Sequence, residues 1–279
     1  MLSPGVIGDR RVAGWATVAG VAWVCGLVVV VAQIVYSMTE PADRHATTVL
    51  SVVAFAVASV CDAAARSGPR AAAWLVVVAG GGGLAAETVG VHTGFPFGEY
   101  RYTGTLGLEV LGVPVVVPLA WVMMCWPALL VGRALTRRLP AASPAWPVVA
   151  VGAWALASWD VFLDPQMVDA GHWVWADPSP ALPGVADVPL TNFAGWLLVA
   201  ALMIAALHRL TGPAQPGREL GLRAGPAPVL YLWTYGSSVW AHAAFFGRPW
   251  VSLVGGLVMG VVALPYAVAV WGARWRSRR

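Results

Sequence analysis

Eight stretches, each about 20 apolar residues long, constrain this chain more than any other feature of its sequence. A helix needs about that many apolar residues in a row to cross the hydrocarbon core of a bilayer. Only 11% of the residues are charged, which is too few to cover the surface of a soluble protein. Soluble enzymes, nucleic-acid-binding proteins and disordered chains are therefore excluded. The predicted spans lie near 13–36, 46–65, 71–91, 112–135, 145–163, 191–210, 227–246 and 250–272.

The arginines predict how these spans are oriented. All 17 basic residues are Arg, and 14 of them lie in the two terminal segments and in every second connection. The opposite connections hold Arg44, Arg101 and Arg248. Because cytoplasmic segments of membrane proteins carry the excess of basic residues, both termini are predicted to be cytoplasmic. No linker or charge run divides the chain, so we predict one all-α domain over 1–279, a polytopic bundle of about eight transmembrane helices in the cell membrane.

The residue types that hold cofactors and metals are sparse. The absence of Lys excludes a Schiff base and the phosphate-binding Lys of a P-loop. The three cysteines lie singly within apolar runs, with no CxxC pair. His92, His172 and His242 are predicted on the same side of the membrane, but no HxxxH or HxH spacing of a zinc site is present. The sequence therefore predicts neither a metal nor a cofactor.

Four carboxylates lie within or at the edge of predicted spans, where a charge costs about 2.5–3.5 kcal/mol at mid-bilayer. Asp62 has Arg66 four residues later, so an ion pair within one helix accounts for it. Glu87 has no Arg at helical spacing. Asp160 and Asp164 share one helix face, and two neighbouring carboxylates can divide the roles of acid and base. The proline after Asp164 leaves open that this residue belongs to a turn that ends the helix.

A polar stripe marks the seventh predicted span. Tyr231, Tyr235, Ser238 and His242 follow one another at spacings of four, three and four residues in an otherwise apolar helix. Such a stripe faces protein or a water-filled cavity rather than lipid. Two interpretations stay open: a cavity wall, or hydrogen bonds between helices that contribute roughly 0.6 kcal/mol each.

Four segments resemble one family of membrane enzymes. They are TGFPFGEYRYT (93–103), VPLAWVMMCWPA (117–128), SWDVFLDPQMVDAGHWVW (158–175) and VPLTNFAGW (188–196). All four are similar to the integral-membrane carotenoid hydratase family, which includes bisanhydrobacterioruberin hydratases and carotenoid 1',2'-hydratases. The resemblance covers about 85–200. It implies addition of water to the terminal C1'–C2' double bond of an acyclic carotenoid end group, which gives a tertiary alcohol without any cofactor.

The resemblance implies a carotenoid, water and membrane lipid as partners, and no nucleic acid. In the implied reaction a carboxylic acid protonates the alkene, a tertiary carbocation forms, water adds and a carboxylate takes the spare proton. The family does not assign these roles; expected burial favours Asp160 as the proton donor, with Glu87 or Asp164 as its partner. Aromatic faces can stabilise the cation. The residues expected to bind substrate are Trp159, Tyr100, Tyr102, His172, Trp173, Asn192, Tyr235 and His242.

Two alternatives remain at this point. A carotenoid cyclase or another isoprenoid-modifying enzyme would use the same acid and cation but exclude water. Asn192 and His172 are polar residues expected beside the acids, and they favour hydration. A non-catalytic carotenoid-binding or transport protein is the other alternative, and a transporter would be expected to carry polar groups in both halves of the membrane. Here they cluster in the predicted outer half, which favours a one-sided pocket.

Overall fold

The architecture is a bundle of helices with short strands at one end. A computed structural model describes residues 4–40, 43–140, 143–212 and 219–276. The third predicted span is a single helical run, α3 and α4 joined by a π-helical turn at Val76–Gly81 that contains part of the glycine run. The described helices are α1 (Pro4–Met38), α2 (His45–Ser67), α3 (Pro69–Leu75), α4 (Gly82–Thr93), α5 (Val116–Thr136), α6 (Trp146–Asp169), α7 (Leu190–Leu210), α8 (Ala227–Ala244) and α9 (Pro249–Arg276).

Proline and glycine set several of these boundaries. Pro69 and Pro249 occupy the first position of α3 and α9, where the missing N–H costs nothing and the fixed φ suits a helix. Gly94 ends α4 in the left-handed conformation that glycine adopts without strain. Pro165, in contrast, does not end a helix: α6 continues to Asp169. Asp164 therefore lies inside a helix and not in a turn.

The prediction of an all-α, polytopic membrane bundle is confirmed. Within the described residues, seven helical runs are long and apolar enough to cross a membrane. This number is one fewer than the eight predicted spans. The remaining span, predicted at 227–246, forms the helix α8, whose 18 residues include the polar stripe and fall outside those seven. The side of the membrane on which the termini lie, and the single-domain organisation, stay predictions.

Six short strands lie in the two long connections, between α4 and α5 and between α6 and α7. β1 pairs antiparallel with β4, so that Tyr100 lies opposite Trp175 and Tyr102 opposite Trp173. The two connections are thus joined to each other, and the end of the bundle that carries them is called the strand end below. The strands are β1 (Tyr100–Tyr102), β2 (Glu109–Val110), β3 (Val113–Pro114), β4 (Trp173–Trp175), β5 (Ala181–Leu182) and β6 (Val185–Pro189).

The helix α5 forms the centre of the bundle. It packs against α2, α6, α7, α8 and α9, and its Trp121, Trp126 and Leu129 are fully buried. A Cβ at Gly132 would come within 2.6 Å of the Val148 carbonyl oxygen, so this small residue allows α5 and α6 to approach closely, as in other membrane bundles. The helix α1 packs mainly against α2 and leaves one apolar side exposed, as expected for contact with lipid.

The ion pair predicted within α2 is confirmed. Arg66 Nε lies 2.8 Å from Asp62 Oδ1, and both side chains are buried. Asp62 also accepts hydrogen bonds from Trp126 Nε1 at 2.9 Å and from the backbone N–H of Ala227 at 3.1 Å. The pair therefore joins α2 to α5 and to the start of α8, at the end of the bundle opposite the strands. This fully satisfied cluster explains how a charge is held there without any catalytic role.

Candidate active site

Glu87 lies in α4, one and a half turns before the strand end, and is 4% exposed. Its Oε2 accepts hydrogen bonds from the hydroxyls of Tyr100 at 2.6 Å and Tyr102 at 2.8 Å. Its Oε1 accepts one from Trp121 Nε1 at 3.0 Å. The two tyrosines reach the same carboxyl group because residues i and i+2 of a strand point to the same side. The strand β1 thus positions two donors at once.

Both tyrosine hydroxyls remain donors at neutral pH. Burial, followed by the neighbouring charge of Glu87, raises the pKa of Tyr100 and that of Tyr102 above the usual value for a phenol. Trp121 can only donate through its indole N–H. Glu87 is therefore surrounded by three donors, an arrangement that suits a carboxylate.

A second acidic group is formed by Asp160 and Asp164 on α6, both of which are buried. Asn192, in the first turn of α7, donates its side-chain N–H to Asp160 Oδ2 at 2.8 Å and also to Asp164 Oδ2. The one amide group therefore bridges the two carboxyl groups. Asp160 Oδ1 is buried and makes no hydrogen bond within the described part of the chain.

A cavity of about 580 Å³ opens beside these acids. Glu87, Asp164 and Asn192 line it, whereas Asp160 is outside the lining. Most of the remaining wall is apolar or aromatic, as in pockets that bind hydrophobic ligands. The seven sequence-predicted residues that line the cavity are Glu87, Asp164, Trp159, Tyr100, Tyr102, Trp173 and Asn192.

Stacked indoles form the wall next to the acids. The rings of Trp121 and Trp196 are parallel, with centroids 4.1 Å apart. Trp159 meets Trp196 edge to face at 6.1 Å. Across the strand pair, Tyr102 and Trp173 also meet edge to face, at 5.8 Å. These aromatic rings line the same cavity as two carboxyl groups.

Sequence reasoning missed Trp121 and Trp196 as members of the site. Both lie within segments that resemble the hydratase family, at 117–128 and 188–196, so their positions were available. With 16 Trp in the chain, however, most are expected at the membrane interface. Only the three-dimensional contact with Glu87 and the stacking of the two rings distinguish them.

The polar stripe on α8 is used mainly between helices. Tyr231 donates to the carbonyl of Ala155 at 3.1 Å, and Tyr235 donates to that of Gly256 at 3.1 Å. Among the described residues, Ser238 is the one member of the stripe that lines the cavity. These contacts are those of the second interpretation, hydrogen bonds from α8 to α6 and α9.

Two predicted histidines also lie outside the cavity lining. His242 Nε2 is 3.1 Å from the carbonyl oxygen of Phe162. His172 Nδ1 is 2.8 Å from the hydroxyl of Thr105, and its backbone carbonyl accepts from Thr103. Burial, followed by the charge of His45, lowers the pKa of His172, which keeps its ring neutral. His172 therefore serves here to join the two long connections beside the cavity.

The described residues contain no group of three or more His, Cys, Asp or Glu side chains placed to hold a metal ion. Asp160 and Asp164 share the amide of Asn192, whereas Glu87 has separate donors, and Glu87 and Asp164 line the same cavity. That the reaction needs no metal or cofactor stays a prediction.

Comparison with known proteins places this chain in a family. A model of the family described as "Carotenoid biosynthesis protein" matches residues 44–263. The bisanhydrobacterioruberin hydratase of Haloarcula japonica is 32% identical over 190 residues, which cover 68% of this chain and 59% of that relative. No solved structure matches the chain significantly. The predicted family is thus confirmed, and the chain belongs to the carotenoid biosynthesis protein family.

Proposed function

We propose that this protein is a carotenoid hydratase of the membrane, which adds water to the terminal C1'–C2' double bond of an acyclic carotenoid end group. The observation that carries the proposal is the pair of buried carboxyl groups, Glu87 and Asp164, that face one apolar and aromatic cavity. The name of the Haloarcula japonica relative supports the same chemistry. The match covers 59% of that relative, so the reaction and the substrate are proposed here for this chain.

In this proposal Asp164 protonates the substrate. Asp160 was the expected donor, but it lies outside the cavity lining, whereas Asp164 lines it and is joined to Asp160 through Asn192. A proton donor must come within hydrogen-bond reach of the atom that it protonates. Asp160 therefore acts as a positioning residue, which holds Asn192 and, through it, Asp164.

The steps follow from these positions. Asp164 gives its proton to the less substituted alkene carbon, C2', and the π electrons of the double bond form the new C–H bond. The tertiary cation at C1' is stabilised by the faces of Trp121 and Trp196 and by the charge of Glu87. Water adds to C1', and Glu87 accepts the proton that it loses. A proton passes from Glu87 back to Asp164 to complete the cycle, so that the net reaction adds one water and consumes nothing else.

The experiment that tests this function is replacement of each acid by its isosteric amide. Glu87→Gln and Asp164→Asn should insert and bind carotenoid, but lower hydration by about 10²–10⁴-fold, the usual contribution of a general acid or base. Mass spectrometry of the pigments measures the gain of one water per reacted end.

Glu109→Gln is the matched control, because Glu109 is an exposed acid in the connection between α4 and α5; it should keep wild-type activity. Full activity in both cavity variants would disprove the assigned roles. A wild-type product of unchanged mass would instead identify the protein as a cyclase or isomerase.

A further inference from the structure

The cavity does not run the full depth of the bundle. On α1, α5 and α6 its lining comes from the half next to the strand end, namely 33–38, 116–123 and 159–167, and at α8 it extends over 232–246. With a rise of 1.5 Å per residue, the stretch from α6 spans about 12 Å and the longest one, at α8, about 20 Å, both less than the ~30 Å hydrocarbon core. A long conjugated polyene is rigid and cannot fold back within this depth. A carotenoid whose end lies at Asp164 must therefore leave the cavity on one side.

The cavity reaches the surface between α1 and α8. Five residues that line it are also exposed to the outside: Ile34 and Met38 on α1, Gly236 and Trp240 on α8, and Phe245 directly after α8. Trp240 is 66% exposed, although its side chain is large and apolar. Because residues i and i+4 share one helix face, these pairs form two edges that face each other. We call this gap the side opening.

Two contacts between the helices bound the side opening. On the side toward the middle of the bundle, Trp233 Nε1 donates to Gln33 Oε1 at 2.8 Å. On the side toward the strand end, the rings of Tyr36 and Phe246 meet edge to face at 5.9 Å, and the Arg44 guanidinium lies over both rings at about 5 Å. These two contacts join α1 to α8 and to the residues that follow α8.

We propose that the side opening is the binding site for the unreactive part of the substrate, a rigid apolar polyene that extends from the cavity into the lipid. This inference rests on the proposed function. The opening continues the cavity that holds the acids, it faces the exposed apolar surface of the bundle, and its edges are mainly apolar and aromatic. The far end of the carotenoid then stays in lipid and makes no contact with the protein.

The consequence for activity is that each end of a carotenoid is hydrated in a separate binding event. A substrate with two acyclic ends must leave the cavity and return in the opposite direction before its second end reacts. The singly hydrated product should therefore accumulate first in a time course with purified protein and decline as the doubly hydrated product forms. A doubly hydrated product that appears without any singly hydrated precursor would overturn this inference.

A plug in the side opening tests its role directly. A Cβ at Gly236 would meet nothing within 4 Å, so Gly236→Phe can place a ring in the gap without disturbing the helix. Two substrates are compared: a full-length acyclic carotenoid and a short acyclic isoprenoid with the same end group. Hydration of the long substrate should fall by about tenfold or more, while that of the short one should change less than about twofold.

Gly20→Phe is the matched control. Gly20 is an exposed glycine of α1 whose Cβ would also meet nothing within 4 Å, and it lies outside the cavity lining. This variant should hydrate both substrates at the wild-type rate. Ile34→Trp provides a second block from the opposite edge and should reproduce the selective loss even if Gly236→Phe fails to fold. Equal losses on both substrates, or no loss on either, would overturn the proposal, the latter being the result expected if a lipid chain occupies the gap.

A binding measurement separates this proposal from the proposed function. The amount of full-length carotenoid that copurifies with the protein in detergent should fall in Gly236→Phe and stay unchanged in Gly20→Phe. If the wild-type protein binds the polyene in this selective way but forms no hydrated product from either substrate, the proposed function fails and the side opening stands. If hydration occurs and polyene binding is the same in all variants, the side opening fails and the function stands.

Discussion

At the scale of single residues, the position of Tyr100 depends on a glycine in the facing helix. A Cβ at Gly90 would lie 2.8 Å from Phe97 Cδ2 and 2.9 Å from the hydroxyl of Tyr100. Both distances are too short for real contacts. The hydrogen bond from Tyr100 to Glu87 therefore requires that residue 90 has no side chain. Gly195 in α7 leaves room for the backbone of the same connection, because a Cβ there would lie 2.6 Å from the carbonyl oxygen of Pro96.

We predict that Gly90→Ala lowers hydration by about tenfold, because a hydrogen bond to a charged group contributes about 1.5–3 kcal/mol and the methyl group displaces its donor from Glu87. The protein should still fold, since alanine favours a helix more than glycine does. Hydration assays and thermal unfolding in detergent measure the two effects. Gly81→Ala is the control, because a Cβ there would meet nothing within 4 Å. Unchanged activity in Gly90→Ala would show that the Tyr100 bond does not matter for the reaction.

The sequence predicted the buried acids, but it did not predict which of Asp160 and Asp164 lines the cavity. Glu87 and Asp164 could be selected because a carboxylate is costly in an apolar span. Helical spacing also placed Asp160 on the face of Asp164. Which of the two reaches the cavity depends on the packing of α6 against α7, where Asn192 bridges both. Spacing along one helix carries no information about that contact, and the same limit explains why Tyr235 and His242 lie outside the lining.

At the scale of elements, the pairing of β1 with β4 brings the two long connections together over the acids. Each strand has three residues, and each presents two aromatic side chains to the same side, Tyr100 and Tyr102 on β1 and Trp173 and Trp175 on β4. The backbone bonds from Thr103 to His172 and from Ala176 to Glu99 extend the ladder at both ends. The pair thus fixes the donors of Glu87 from outside the helical bundle.

We predict that cysteines at 101 and 174 form a disulfide across this pair. Arg101 and Val174 are directly opposite and exposed, and directly opposite residues have Cα atoms about 4.5–5.5 Å apart, within the range for a disulfide. Arg101→Cys/Val174→Cys should therefore crosslink under oxidation, keep its activity and unfold at a higher temperature. Peptide mass spectrometry detects the bond.

The matched control combines Arg101→Cys with Ala176→Cys. Ala176 is two residues after Val174 and therefore points to the same side of the strand pair. Diagonal neighbours lie about 7–8 Å apart, beyond easy bridging. Crosslinking of the control pair in preference to 101 and 174 would contradict the register. Loss of activity on crosslinking the predicted pair would indicate that the connections must separate during turnover.

Elements differed in how far the sequence could predict them. Long apolar runs predicted a helix at every span, because length and hydropathy alone decide them, although α1 begins nine residues before its predicted span and α6 ends six residues after its own. The strands could not be predicted, since three residues carry too little periodicity and β4 lies far from β1 along the chain. The helix α8 is the intermediate case: its position was predicted, but its polar residues, bonded to α6 and α9, set it apart from the seven more apolar runs.

At the scale of the whole molecule, the two ends of the bundle hold their buried charges differently. Away from the strands, Asp62 and Arg66 neutralise each other, and the carboxylate is fully bonded. At the strand end, Glu87, Asp160 and Asp164 have no Arg partner among the hydrogen bonds described, and a cavity opens beside them. An acid that is to exchange protons with a substrate must not be held by a permanent ion pair. The asymmetry therefore supports the proposal that the reaction takes place at the strand end, and the side of the membrane on which that end lies then decides which compartment supplies the water.

We predict that the strand end faces away from the cytoplasm, with both termini cytoplasmic. By sequence, 14 of the 17 arginines belong to the side predicted to be cytoplasmic, and the other three, Arg44, Arg101 and Arg248, lie at the strand end. The positive-inside rule places the arginine-rich side in the cytoplasm. Reporter fusions in the turn between β5 and β6 should therefore read as external, and fusions between α7 and α8 as cytoplasmic. A fusion after α9 should again read as cytoplasmic, which requires α8 to cross the membrane together with the seven more apolar helical runs.

An external signal after α9, combined with a cytoplasmic one between α7 and α8, would show that α8 does not cross and that the cavity is open to the membrane on the α8 side. The reversed pattern at every site would place the acids at the cytoplasmic face, where the same reaction could draw on cytoplasmic water.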